Sequence, residues 1–307
     1  MTTPPTHERP AETDRPTDDR PAEDRPSERT ASRRRVLAGV GGALTASVGG
    51  CLGGDGRDER SQRESNRLPG TVHRTQFSRV DEEDAYRLTF RRSIGGEWQT
   101  MRVDVPTDRY RAARADERSL AGTFEAALDD DTAGALAESL ATAMDGAGVT
   151  DPLARFRVAV EFVRAMPYVT DADSTGEAGY PRYVVETVVD HEGDCEDYAA
   201  LVAGVLAAPP FGYDPDLLVL PGHAGVGIDP DALDGSGFPT VAVGGREYVY
   251  VDATYEVPFG RLPADHDDGV VAALVDGAWS VGDPDAVVAH VGATVGAHDP
   301  VEELGSQ

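Results

Sequence analysis

The chain has 307 residues, 28 basic and 55 acidic, with no lysine among them. Residues 1–50 hold eight of each sign, so 20 basic and 47 acidic side chains lie from residue 51 onward and carry the whole net charge of −27. A surface this negative repels nucleic acid and anionic lipid and excludes partners held through phosphate. Two cysteines exclude a disulfide-stapled scaffold, and the stretch 71–296 is long enough to bury a core without one.

Residues 1–31 repeat Arg-Pro with Asp and Glu and show no apolar periodicity, which predicts disorder. Ser32-Arg33-Arg34-Arg35 is followed by an apolar, small-residue run from 36 to 50. That run is too short to span a bilayer and suits the apolar region of a signal peptide. Arg33 and Arg34 before it look like an address for the Tat pathway, which exports folded proteins. Val48-Gly49-Gly50-Cys51 resembles a lipobox, so residues 1–50 are expected to be the export segment and Cys51 the lipidated first residue of the mature protein. A lipidated Cys51 cannot form a disulfide with Cys195, which directs attention to the reactivity of that second sulfur. Residues 51–70, polar and glycine-rich, read as a flexible tether.

A hairpin and helical scaffold is expected over 71–150. Segments 86–90 and 98–105 alternate apolar and polar residues around Gly95-Gly96, which reads as a hairpin. Segments 133–144 and 152–163 have helical spacing, the second opening on Asp151-Pro152.

The stretch 151–296 is expected to hold the core and C-terminal strands, with 297–307 as a tail. Tyr198, Leu201, Val202, Val205 and Leu206 recur at i, i+3, i+4, i+7 and i+8, and Pro209-Pro210 stops the pattern, so a helix begins near Cys195. Asp194 with Asp197 three residues on forms a capping-box relation and leaves Cys195 in the first turn. There the free N–H groups and the helix dipole favour a thiolate. Segments 217–220, 222–228, 238–243 and 247–251 read as strands, with His223 opening one and Asp252 closing another. Direct antiparallel pairing of those two would join imidazole and carboxylate; the intervening 238–243 segment is equally free to separate them.

Three ordered motifs now stand together: 180–187 with Gly193-Asp194-Cys195-Glu196-Asp197-Tyr198-Ala199, then Gly222-His223, then Tyr250-Val251-Asp252-Ala253-Thr254. They resemble the transglutaminase-like superfamily of papain-like fold, and the Gly-Asp-Cys-Glu-Asp run is similar to its bacterial and archaeal cysteine-proteinase-like branch. The resemblance covers about 150–258. It implies an α+β fold in which a cysteine at a helix N-terminus packs on an antiparallel sheet. It also implies that Cys195 attacks an amide carbonyl, that His223 is the base and that Asp252 orients the imidazole. The oxyanion would be held by the Cys195 N–H and a second donor, for which Tyr180 and Tyr183 are candidates. Many family members carry an aromatic two residues after the histidine and Asp-Pro-Thr at the third motif, whereas this chain has Ala224-Gly225 and Asp252-Ala253-Thr254. Some members are non-catalytic, so a cell-surface binding module is the alternative to a thiol hydrolase or acyltransferase acting on a peptide or protein outside the cell.

Asp194, Glu196 and Asp197 place like charge beside the thiol and oppose its ionisation. One calcium-dependent branch of the proteinases holds Ca²⁺ on flanking acids that Asp194 and Glu196 match, and hard oxygen ligands suit that ion. The plainer expectation is that these acids, like most in the chain, are solvated surface and no cofactor is needed. His191, in the loop before the helix, is a fallback base. His73, His266, His290 and His298 lie outside the motifs, and no zinc spacing or phosphate loop is present.

Excess acid without lysine resembles the proteins of extreme halophiles, whose repulsion is screened by salt. A melting temperature that falls as salt is withdrawn is the expected result of a thermal unfolding series. A melting temperature independent of salt would instead return the acids to the list of functional candidates.

Overall fold

A computed structural model describes residues 75–281, apart from 178, 234–236 and 267–268. The expectations for Arg33, Arg34, Cys51, the tether and the tail lie outside the described residues. Those residues form a mixed α and β fold with two antiparallel sheets.

The first sheet runs β1 (Gln76–Asp81), β2 (Ala85–Ile94), β3 (Glu97–Pro106) in sequence order. Gly95 and Gly96 turn the β2–β3 hairpin with φ of 60° and 87°, a left-handed pair that glycine adopts without strain, and Ile94 pairs with Glu97. The alternation buries Leu88, Phe90 and Ile94 beside Met101, Val103 and Val105 on one face.

Seven helices follow: α1 (Thr107–Ala115), α2 (Leu120–Ala127), α3 (Asp131–Gly146), α4 (Pro152–Arg164), the single turn α5 (Asp171–Ser174), α6 (Val184–Asp190) and α7 (Cys195–Ala207). Asp130 caps α3 through the N–H groups of Thr132 and Ala133, and Asp151 caps α4 through that of Ala154. Helices α1 and α2 have weak sequence signals. In α1 only Thr107 is buried, so it has no apolar face to read, and α2 is two turns long behind the Ser119 cap.

The sequence predicts one apolar face for α7, yet the helix is buried all round from Cys195 to Leu206. It is the central helix, packed against α2, α3, α4 and α6 and against strands β4 (Asp216–Leu220) and β5 (His223–Ile228). At Gly204 a Cβ would stand 2.5 Å from the Ala127 carbonyl oxygen and 2.9 Å from Ala133 Cβ, so glycine lets α2 and α3 close on α7. Burying each of its leucines and valines contributes about 1.5–3 kcal/mol.

The second sheet adds β6 (Val241–Val243), β7 (Arg246–Val251), β8 (Ala272–Val275) and β9 (Ala278–Val281), in the order β6-β7-β5-β4-β8-β9. Leu217 and Val219 join the main core and Leu218 and Leu220 a smaller one formed with Tyr248 and Tyr250. β6 lies outside β7 and does not separate it from β5. β5 and β7 pair directly, Val226 opposite Val251, which sets the start of β5 against the segment leaving β7. Among the described residues no helix is long and apolar enough to cross a membrane.

Candidate active site

The β5–β7 pairing brings His223 and Asp252 together, with Nε2 2.7 Å from Oδ2 and both side chains buried. Asp252 sits at the end of β7, where its Oδ1 accepts from the Thr254 N–H (2.7 Å), the Thr254 hydroxyl (2.9 Å) and the Tyr255 N–H (2.6 Å). Arg164 Nε donates to the Asp252 carbonyl at 2.8 Å and ties α4 to the same turn. Burial opposes the charge on Asp252, but the His223 ring and the Tyr255 and Thr254 N–H groups outweigh it and hold the carboxyl well below the usual range. Asp252 is therefore ionised throughout the neutral range. Nε2 is the ring nitrogen engaged by Asp252, and Nδ1 is the other. His266 stacks on the imidazole (centroids 4.7 Å, 18°) and donates through Nδ1 to the Pro221 carbonyl, 2.9 Å away. The Tyr255 ring packs against His223 at a steep angle, centroids 5.3 Å and 75° apart.

Cys195 is the first residue of α7 and is 2% exposed. Gly193 before it is required, since a Cβ there would stand 2.9 Å from the Asp197 side chain. Asp197 accepts from the Asp194 N–H at 3.2 Å and from the Arg182 N–H at 2.7 Å, so it caps α7 and anchors the chain entering α6. Cys195 Sγ lies 3.0 Å from Glu196 Oε2. Cys195 is disulfide-bonded in the structure.

The acids around Cys195 are not solvated surface as the sequence led us to expect. Asp194, Glu196 and Asp197 are 1%, 7% and 1% exposed, because α7 is central and its first turn is covered by the segments at 168–171 and 180–183. The first of these runs beside Gly193, where the Val169 N–H donates to the Gly193 carbonyl at 2.9 Å, and so carries Asp171 to the cluster. Burial, then mutual repulsion, pushes Asp194 and Asp197 upward, and burial with the charge of Asp197 pushes Glu196 up to about 8. Arg182, 3% exposed, is a cationic neighbour, 3.5 Å from Asp197 and also bound to Asp190 (3.0 Å) and Glu192 (3.3 Å).

Ligand oxygens of Asp171, Asp194 and Asp197 lie within 4.8 Å of one another, and Asp194, Cys195 and Glu196 form a second group of the same size. Asp171 Oδ1 and Asp194 Oδ1 are buried with no hydrogen-bond partner. Two orphaned carboxylate oxygens beside a third buried carboxylate fit a hard cation. Asp171 and Asp197 join the pair expected from sequence; nothing in the spacing of Asp171, 24 residues before Cys195, signals this.

The remaining candidates are placed elsewhere. The Tyr180 hydroxyl donates to Glu186 Oε1 at 2.9 Å and that of Tyr183 to the Glu117 carbonyl at 2.7 Å. Arg118 lies on the Tyr180 ring, 3.7 Å from its centroid, and pairs with Glu186 at 3.0 Å. These tyrosines hold α6 through those bonds. His191 caps α6 in the left-handed conformation (φ 55°) and stacks on Phe77 at 4.0 Å. Burial lowers it to about 4, which makes it a packing residue and a poor base near neutrality.

No family model matches the chain, and no curated protein and no solved structure matches it.

Proposed function

We propose that the protein is an exported, lipid-anchored thiol hydrolase or acyltransferase that cleaves peptide or isopeptide amide bonds through Cys195, His223 and Asp252, in a papain-like, transglutaminase-like core. The observation that carries this reading is the buried His223–Asp252 pair on adjacent strands, next to a helix that starts at Cys195 and packs across β5.

In the proposed reaction Cys195 Sγ gives its proton to His223 Nδ1 and attacks the amide carbonyl. The C–N bond breaks as His223 returns the proton to the leaving amine, and a thioester remains. Water, or an amine, then attacks the thioester; His223 takes the incoming proton and Cys195 leaves as the thiol. Asp252 stays ionised and keeps Nε2 as the proton-bearing nitrogen. Backbone N–H groups in the first turn of α7 stabilise the oxyanion. A hard cation such as Ca²⁺, held by Asp171, Asp194 and Asp197 with Glu196 at its edge, would supply positive charge that offsets these acids when bound.

A second reading, a catalytically inactive binding module, is favoured by the recorded disulfide at Cys195. Labelling decides between them: a thiol alkylated by iodoacetamide at a rate that depends on His223 supports the enzyme, and one that reacts only after denaturation supports the module.

Export is proposed on Arg33, Arg34 and Cys51. The expected result is a membrane-bound protein whose N-terminal peptide begins at Cys51 and carries lipid in mass spectrometry. Cys51→Ser should be released or left unprocessed. Intact wild-type protein found soluble in the cytoplasm would reject both the anchor and the address.

A further inference from the structure

We infer that Tyr250 is a positioning residue of the site, fixing the Asp252 carboxylate so that Oδ2 faces His223, and that Gly225 exists to admit its ring. The inference rests on the thiol reading for its catalytic meaning, though its geometry is independent of it.

Asp252 Oδ1 is saturated by its own turn, through Thr254 and Tyr255. Oδ2, the oxygen that meets His223, also accepts from the Tyr250 hydroxyl at 2.9 Å. Residues 250 and 252 lie two apart on the strand β7 and its exit, so their side chains leave on the same side. The phenol is fully buried, and burial together with the charge of Asp252 keeps its proton on. A protonated donor on one side and the imidazole on the other leave the carboxylate no rotation that preserves both bonds.

Gly225 supplies the room. A Cβ at that position would lie 2.5, 2.6 and 2.7 Å from Cε2, Oη and Cζ of Tyr250, below any real contact. Gly225 is two residues after His223 on β5, where the resemblance leads to an aromatic side chain. In this chain the ring comes from the neighbouring strand and brings a hydroxyl to Asp252.

Tyr250→Phe keeps the ring and removes only that donor. Two measurements on the full chain test the inference. The first is the downfield proton signal of His223 Nε2–H, which reports its hydrogen bond to Asp252 without reference to catalysis. The expected result is a signal that broadens and exchanges roughly 3- to 10-fold faster, the range of one net hydrogen bond. The second is the alkylation rate of Cys195 with iodoacetamide, expected to fall by a similar factor. Gly225→Ala, whose methyl displaces the ring, should reproduce both effects with the Tyr250 hydroxyl still present, and should add little in a Tyr250→Ala background. An unchanged Nε2–H signal in Tyr250→Phe overturns the inference, as does a changed signal with an unchanged His223-dependent alkylation rate. If wild-type alkylation shows no dependence on His223, the thiol reading fails, and the Nε2–H signal alone then decides whether Tyr250 positions the pair.

Discussion

Cys195→Ser and His223→Ala should each reduce amide turnover, followed as peptide or ammonia release from casein, by on the order of 10⁴-fold or more, and the double variant should lose no more than either single one. Nucleophile and base act as one unit, since a thiol without its base is a weak nucleophile and a base without its thiol has nothing to activate. Asp252→Asn should cost roughly 10²- to 10⁴-fold. The amide would present an N–H to His223 Nε2, which would turn the ring to the wrong tautomer and leave Nδ1 carrying the proton that it must accept. Because the Thr254 and Tyr255 donors face Oδ1, the amide oxygen can still take that side and the fold should survive. Alkylation of Cys195 separates chemistry from folding: it should slow about tenfold or more in His223→Ala, where the thiolate loses its imidazolium. Equal rates in wild type and His223→Ala would withdraw the assignment and favour the binding module. Since Cys195 is recorded as disulfide-bonded, the assay is run with and without reductant, and activity that appears only after reduction identifies the bond as the reversible block.

Removal of the proposed cation is the other change with a large expected effect. Three buried carboxylates at Asp171, Asp194 and Asp197, two of them with an orphaned oxygen, repel one another in a region of low polarizability. A cation present at about 100 times its dissociation constant adds about 2.7 kcal/mol to the folded state. For a domain of this size each kcal/mol moves the midpoint by about 2–4 °C, so a chelator should lower the melting temperature by about 5–10 °C, and added calcium should restore it. Asp171→Asn should remove the response to calcium while leaving the His223–Asp252 pair, held at the start of β5 and the exit of β7, in place. The same melting temperature with and without chelator would mean that protons and Arg182 alone neutralise the cluster.

The features legible in the sequence are local. The helix that starts at Cys195 follows from the i, i+3, i+4 spacing and the Asp194–Asp197 cap, and the hairpin at Gly95-Gly96 from two glycines that take left-handed φ between alternating strands. Each of these depends on neighbours within a few positions, where backbone geometry dictates which side chains share a face. The candidates Cys195, His223 and Asp252 were legible for the same reason, as short motifs at the ends of elements.

The remaining features depend on contacts across the fold. Whether His223 and Asp252 meet depended on β6 lying outside β7, which strand pairing settles and spacing does not. The acids beside Cys195 looked like solvated surface because the chain is full of such acids; only the central position of α7, enclosed by segments from elsewhere in the chain, shows them buried. Asp171 enters through a bridge between Tyr168 and Gly193, and Tyr250 reaches Asp252 only because Gly225 on the paired strand leaves the space. Tyr180 and Tyr183 stood in the right stretch of sequence but turn to Glu186 and the Glu117 carbonyl, since a buried carboxylate and an open carbonyl each demand a donor. Contacts between residues distant in sequence carry no local signature. They are set by which faces must be buried together, and that choice is made by the whole fold.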